Sequence, residues 1–199
     1  QIEKRLAREG ASRYGRHRKV VDPLRPVRAA LAPGPRLVLV TAEADAHSGE
    51  SAQHGFPRLV QVVLHRWSSG ETFESFVRPE RPLGPNVHRH ARVERSLIED
   101  APPSLDVLES MGKFLRPDDV LVSWGRFPVE LVERAGWPVP HAIDLRVSAA
   151  EWLHRRPGTP LDVITAAKGE ARAPMGTGRA GVVMGELAGL LDAWARLGG

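Results

Sequence analysis

Two carboxylates spaced two residues apart, Glu43 and Asp45, close the stretch RLVLVTAEAD that begins at Arg36. A run of Leu and Val that ends in acids has the form of a buried strand delivering carboxylates to the edge of a sheet. Carboxylate oxygens are the ligands that hard divalent ions such as Mg2+ or Mn2+ require. If the strand runs on past Glu43, side-chain alternation puts Glu43 and Asp45 on the same face. Asp144, Glu130 and Glu186 are the further acids on which a rearranged metal site would draw. His88 and His90 have types that contact a metal or a phosphate, although a polar loop is the simpler expectation for them. Trp124 beside Gly125 could stack a base, and a core position is its simpler expectation. Gly176-Thr177-Gly178 resembles a phosphate-binding turn only superficially, because it lacks the P-loop lysine and spacing.

A second chemistry lies in the N-terminal arm. Of 28 Lys and Arg, nine fall in residues 1–28 against three acids, which leaves nineteen basic against twenty-one acidic residues in the rest. The formal net charge of +4 is therefore a property of the arm. Arg5, Arg8, Arg13, Arg16, Arg18 and Lys19, interleaved with Tyr14, suit a clamp on the phosphates of RNA or single-stranded DNA with one stacked base. A solvated linker or tail is the alternative reading of the same charge run. A short helix is expected near residues 2–9, and Pro23, Pro26, Pro33 and Pro35 mark a boundary near residue 34.

The elements that must position the candidate acids follow from pattern. Strands are expected over Leu37–Glu43, Arg58–Trp67 and Glu71–Arg78, the last two joined by Ser68-Ser69-Gly70, so the first three form an antiparallel meander. A long connection with a short helix over Val93–Ile98 leads to a helix capped by Ser104, with Leu105, Leu108, Met111 and Leu115 at helical spacing. A strand over Asp119–Trp124, a helix over Pro128–Ala135 and a strand over Ala142–Arg146 come next. Ser148 and Glu151 have capping-box spacing for a helix carrying Trp152 and Leu153. Leu161–Lys168 and Arg179–Leu197 are the last helices, and Gly181, Gly185 and Gly189 form a flat stripe expected to pack on the sheet. Three strands followed by alternating helices and strands give an α/β architecture, a mixed sheet flanked by helices.

Composition bounds the rest. At 199 residues and 42% hydrophobic, the chain suffices for one medium-sized domain with an appendage. The absence of cysteine excludes disulfides and thiolate metal sites. No apolar run reaches the roughly 18 residues of a membrane span, and the expected compartment is the cytoplasm. The first residue is Gln1 rather than Met, which leaves a larger parent chain open.

In order, the acidic end of the first strand, PRLVQVVL, FVRPERPL, IEDAPPSLDVLESMGKFL, LVSWG, IDLR and GRAGVVMGELAGLL make the chain resemble the DEDDh three-prime-to-five-prime exonucleases. These are the ribonuclease H-like group that includes ribonuclease T and the proofreading subunit of DNA polymerase III. The resemblance covers roughly Arg36 to Trp194 and implies a ribonuclease H-like mixed sheet: a three-strand antiparallel meander plus parallel strands. It divides the chain into an arm or linker, 1–34, and an exonuclease-like domain, 35–199. In that family two divalent ions held by four carboxylates activate water and stabilise the leaving oxygen of a phosphodiester, with a histidine as general base.

Carried over position by position, the family's first Asp-x-Glu motif reads Thr41-Ala42-Glu43 here. Its second aspartate falls at Pro128, its histidine at Gly178 and its last aspartate at Val183. One carboxylate is too little counter-charge for two divalent ions. The resemblance therefore implies a pseudo-enzyme with no metal, in which Glu43 is a remnant and the domain binds nucleic acid or serves as a scaffold. Two alternatives stand beside it: an active Mg2+- or Mn2+-dependent exonuclease rebuilt on Glu43, Asp45, Asp144 and Glu186, and a purely structural subunit that meets a protein partner. No membrane partner is expected.

Overall fold

The structure is a computed structural model that describes residues 36–45, 57–139 and 141–198, together with Arg25 alone. The expected N-terminal helix, the boundary near residue 34 and the arm residues Arg5, Arg8, Arg13, Tyr14, Arg16, Arg18 and Lys19 lie outside the described residues.

Five strands form one sheet in the order β3-β2-β1-β4-β5. β1 (Leu37–Asp45) pairs antiparallel with β2 (Arg58–Arg66), which pairs antiparallel with β3 (Thr72–Phe76). On its other side β1 runs parallel to β4 (Val120–Ser123), and β4 parallel to β5 (Ala142–Asp144). This is the expected mixed sheet, with a meander on one flank and parallel strands on the other. β1 lies at its centre and is buried on both faces, which is why Leu37–Val40 is apolar without alternation. It also runs two residues further than expected, to Asp45, because Ala44 and Asp45 go on pairing with Leu59 and Arg58 past a bulge after Glu43.

Seven helices are described: α1 (Val87–Ala91), α2 (Arg95–Glu99), α3 (Ser104–Phe114), α4 (Phe127–Arg134), α5 (Leu145–Leu153), α6 (Pro160–Ala166) and α7 (Gly178–Gly198). One face of the sheet (Leu37, Leu39, Val63, Val122) packs on α5, α6 and α7 through Leu145, Ile164, Met184, Leu187 and Trp194. The other (Val38, Val40, Val62, Leu64, Leu121) packs on α3 and α4 through Val107, Met111, Leu131 and Val132. Among the described residues no helix is long and apolar enough to cross a membrane.

Several local expectations are corrected. The connection after β3 holds two short helices, α1 and α2, where one over Val93–Ile98 was expected. Ser104 is the first residue of α3 and not its cap; Leu105 is 78% exposed, and Val107 takes the buried position instead. α5 starts earlier than the Ser148–Glu151 spacing implies: Asp144 caps it by accepting from Arg146 N at 2.9 Å, and Ser148 is buried mid-helix. The glycine stripe of α7 does not face the sheet. An extended strap, residues 169–177, lies directly on it, with Arg172 N donating to Gly185 O at 3.1 Å and Met175 N to Gly181 O at 2.9 Å. A Cβ on Gly185 would sit 2.5 Å from Ala173 O, and one on Gly181 would strike the Gly176 carbonyl. Side-chain-free positions are what let a backbone approach a helix this closely.

Candidate functional site

At the C-terminal ends of the parallel strands, where α/β sheets place their ligands, β1 presents Thr41 and Glu43 towards α7. Their odd positions put them on the same face as Leu37 and Leu39. Glu43 is 5% exposed, and both of its oxygens are occupied: Arg179 Nε donates to Oε1 at 2.8 Å and Nη2 to Oε2 at 2.7 Å. The pair leans outward, with side-chain exposures of 6% for Glu43 and 51% for Arg179. The hydrogen bonds to Glu43 hold the Arg179 pKa above its ordinary value, against the opposing effect of burial. Two parallel N–H···O bonds between planar partners make this the strong form of a charge pair.

Thr41 is 4% exposed, and its hydroxyl donates to Ala180 O at 3.0 Å, tying the first turn of α7 to the sheet. Gln61, opposite Glu43 in the β1/β2 register, donates through Nε2 to Thr177 O at 3.0 Å and to Glu74 Oε1 at 2.8 Å. Glu74 in turn accepts from Thr177 N at 2.8 Å. The Gly176-Thr177-Gly178 turn is thus an anchor for the end of the strap. Gly178 has φ +61, and a Cβ there would strike the Ala91 carbonyl and Val93, so the turn after α1 closes on the head of α7. A histidine at this position would meet both obstacles, backbone strain and collision.

The remaining candidate acids do not converge on Glu43. Asp45 is 2% exposed and accepts from Arg58 Nη2 at 2.9 Å and Gly84 N at 3.1 Å. Asp144 Oδ1 accepts from Gly125 N and Arg146 N, both at 2.9 Å, which joins the turn after β4 to the cap of α5. Glu186 is half-buried, and burial, then Asp162, raises its pKa, so it faces α6. Glu130 pairs with Arg126 at 3.4 Å one turn earlier on α4. Among the described residues no three His, Asp or Glu side chains form a group that could hold a metal ion.

Pro128 stands in the first turn of α4, and Val183 packs against the core. Trp124 also packs there and donates its indole N–H to Gly158 O at 3.2 Å. His90 is exposed on α1, and the Nδ1 of His88 is buried without a hydrogen-bond partner among the described residues. An apolar concavity of about 780 Å³ between α3, α4 and the loop around Trp137 lies at the opposite ends of the strands and includes none of these groups.

Arg179, Gln61 and Glu74 were not singled out as site residues by sequence. One signal was available: in the resemblance, Glu43 and the Gly178-Arg179 turn occupy motif positions that meet in space, and opposite charges there are natural partners.

No family model matches the sequence, and no curated protein matches it. Solved structures do. Exonuclease X in complex with 5′-overhanging duplex DNA superposes with a TM-score of 0.57 at 18% identity, over 82% of this chain and 93% of that one. S. pombe Pop2p, in a form with Mg2+ and Mn2+ bound, gives 0.58 at 10% identity, over 87% and 88%. Yeast CAF1, co-crystallized with the MIF4G domain of NOT1, gives 0.55 at 10% identity, over 87% and 81%. At these identities the likeness is one of architecture: the chain carries the ribonuclease H-like fold.

Proposed function

We infer that this chain is a catalytically silent exonuclease-fold module that binds single-stranded nucleic acid. The observation that carries the reading is the bidentate Glu43–Arg179 pair: the single carboxylate left at the motif positions already has a fixed counter-ion. The two-ion centre of the DEDDh exonucleases does not fit these residues. Thr41 and Val183 supply no carboxylate, the Thr41 hydroxyl is committed to Ala180 O, and Pro128 offers only a ring. Among the described residues hydrolysis through metal-activated water has no ligand set, and the space at Gly178 is closed to a general base.

Nucleic acid as the ligand class is supported by the fold it shares with exonuclease X, which holds DNA in its complex, and by the basic arm. Arg5, Arg8, Arg13, Arg16, Arg18 and Lys19 supply phosphate contacts, and Tyr14 a stacking surface. A scaffolding role with a protein partner is the second reading, favoured by the co-crystal of CAF1 with NOT1.

Fluorescence anisotropy of labelled single-stranded RNA and DNA tests the first reading. Affinity is expected to fall steeply with salt, and each phosphate contact removed from the arm flattens the log–log slope by roughly 0.7. Affinity unchanged on deletion of residues 1–28, or no binding at low salt, would overturn the role of the arm and favour the scaffold.

A further inference from the structure

We propose that Arg179 is the resident cation at the C-terminal end of β1 and that its outward edge receives a phosphate group without a metal ion; this rests on the silent-module reading. A guanidinium has five N–H groups in one plane, and Glu43 engages one on Nε and one on Nη2. Among the described residues Nη1 has no partner, and the side chain is half exposed while Glu43 is sealed beneath it. The carboxylate therefore orients the guanidinium and leaves its other edge turned outward. A divalent ion bridging a carboxylate and a phosphate would do the same thing. The planar fork of arginine is well matched to phosphate oxygens.

Charges of both signs stand near the pair: Arg89 and Arg92 at the end of α1, and Glu74, which accepts from Thr177 N at 2.8 Å. A Cβ on Gly178, the residue before Arg179, would strike Ala91 O and come within 3.0 Å of Arg92 O at the end of α1, whose last turn carries His88, Arg89 and His90. Arg92 has φ +57, a conformation that ordinarily favours glycine or asparagine at a helix C-terminus. Glu43 is neutralised by Arg179, and Asp45 is in contact with Arg58. Glu74, which anchors the turn before Arg179, is committed to the neutral donors Thr177 N and Gln61 Nε2, so the outward guanidinium edge is the group at this site that suits a phosphodiester or a terminal phosphate.

The test uses the full chain in EDTA and follows the 1H–15N resonance of Arg179 Nε, assigned by its loss in Arg179→Met. The probes are inorganic phosphate and a five-residue oligothymidylate. The resonance is expected to shift saturably with both, with half-saturation by the oligonucleotide at lower concentration, as expected for a strand ligand. Arg92→Gly, which suits the positive φ and keeps the turn, weakens binding about tenfold. Replacing the exposed Arg155 and Arg156 by Gln changes nothing. No shift, a shift only after Mg2+ is added, or an equal loss in the Arg155/Arg156 variant would overturn the proposal. Metal-dependent trimming of a strand would instead overturn the silent-module reading, so the two failures are distinguishable.

Discussion

Gly185→Ala sets two effects of similar size against each other, and the structure decides the sign. In a helix interior, replacing Gly by Ala gains about 1 kcal/mol. Here the new Cβ would lie 2.5 Å from Ala173 O and 2.6 Å from Arg172 O, whereas ordinary contact begins near 3.4 Å. Both obstacles are backbone atoms, so the strap must withdraw by about 0.9 Å, the difference between 3.4 and 2.5 Å. Overpacking of this kind costs about 1–3 kcal/mol. Losing the 3.1 Å bond from Arg172 N to Gly185 O adds about 1 kcal/mol. The net expectation is a destabilisation of about 1–3 kcal/mol, read as a lower urea midpoint at unchanged m. Gly112→Ala in α3 is the internal comparison, because its Cβ would meet only the Trp137 ring, at 3.1 Å. That ring can yield, so the helix gain and the crowding roughly cancel. If Gly185→Ala proved as stable as the parent chain or more so, the strap would not lie on α7 as described, and the anchoring of Arg179 through residues 169–177 would fail with it.

Three further outcomes follow from the same geometry. Arg66 and Asp119, with side chains 1% and 3% exposed and bonded at 2.6 and 2.8 Å, form a buried pair; Arg66→Met should cost about 3–5 kcal/mol in urea unfolding, and Arg66→Met with Asp119→Leu should recover much of it. Burial lowers the His65 pKa below 6.5, so the unfolded chain takes up protons first: the stability this histidine contributes is present above pH 6.5 and is lost as pH falls. Glu186, raised by burial above 4.5, works in the opposite direction, so the difference between parent and His65→Gln stability curves isolates the histidine. Finally, Thr41→Asp with Gly178→His and Val183→Asp should fail to restore metal-dependent trimming of single strands and should lower the unfolding midpoint, because an acid at 41 would face Ala180 O and a side chain at 178 would strike Ala91 O.

The architecture was legible where a single strand or helix face dictates its own burial. Leu37–Val40 announces a central strand, and Val183, Leu187, Leu190, Leu191 and Trp194 announce the buried face of α7. Legibility ended where the partner is distant in sequence. Nothing local to Asp144 says that it will cap α5 while holding Gly125 N, so Ser148–Glu151 offered a plausible but wrong start. The glycines of α7 announce close approach but not by what; the answer is the strap over residues 169–177, whose own sequence, GEARAPMGT, carries no periodic signal. Glu43 was visible as a buried acid, yet its meaning depended on Arg179, which lies 136 residues away.

We infer that a guanidinium, and not a pair of metal ions, answers Glu43, so that this end of the sheet binds without cutting. Incubation of the full chain with end-labelled single-stranded DNA and RNA in Mn2+ or Mg2+, resolved at single-nucleotide spacing, tests it directly. Full-length strands are expected at all times, the same as in EDTA; a ladder of shortened products that grows with metal and is abolished by Glu43→Gln would contradict this reading.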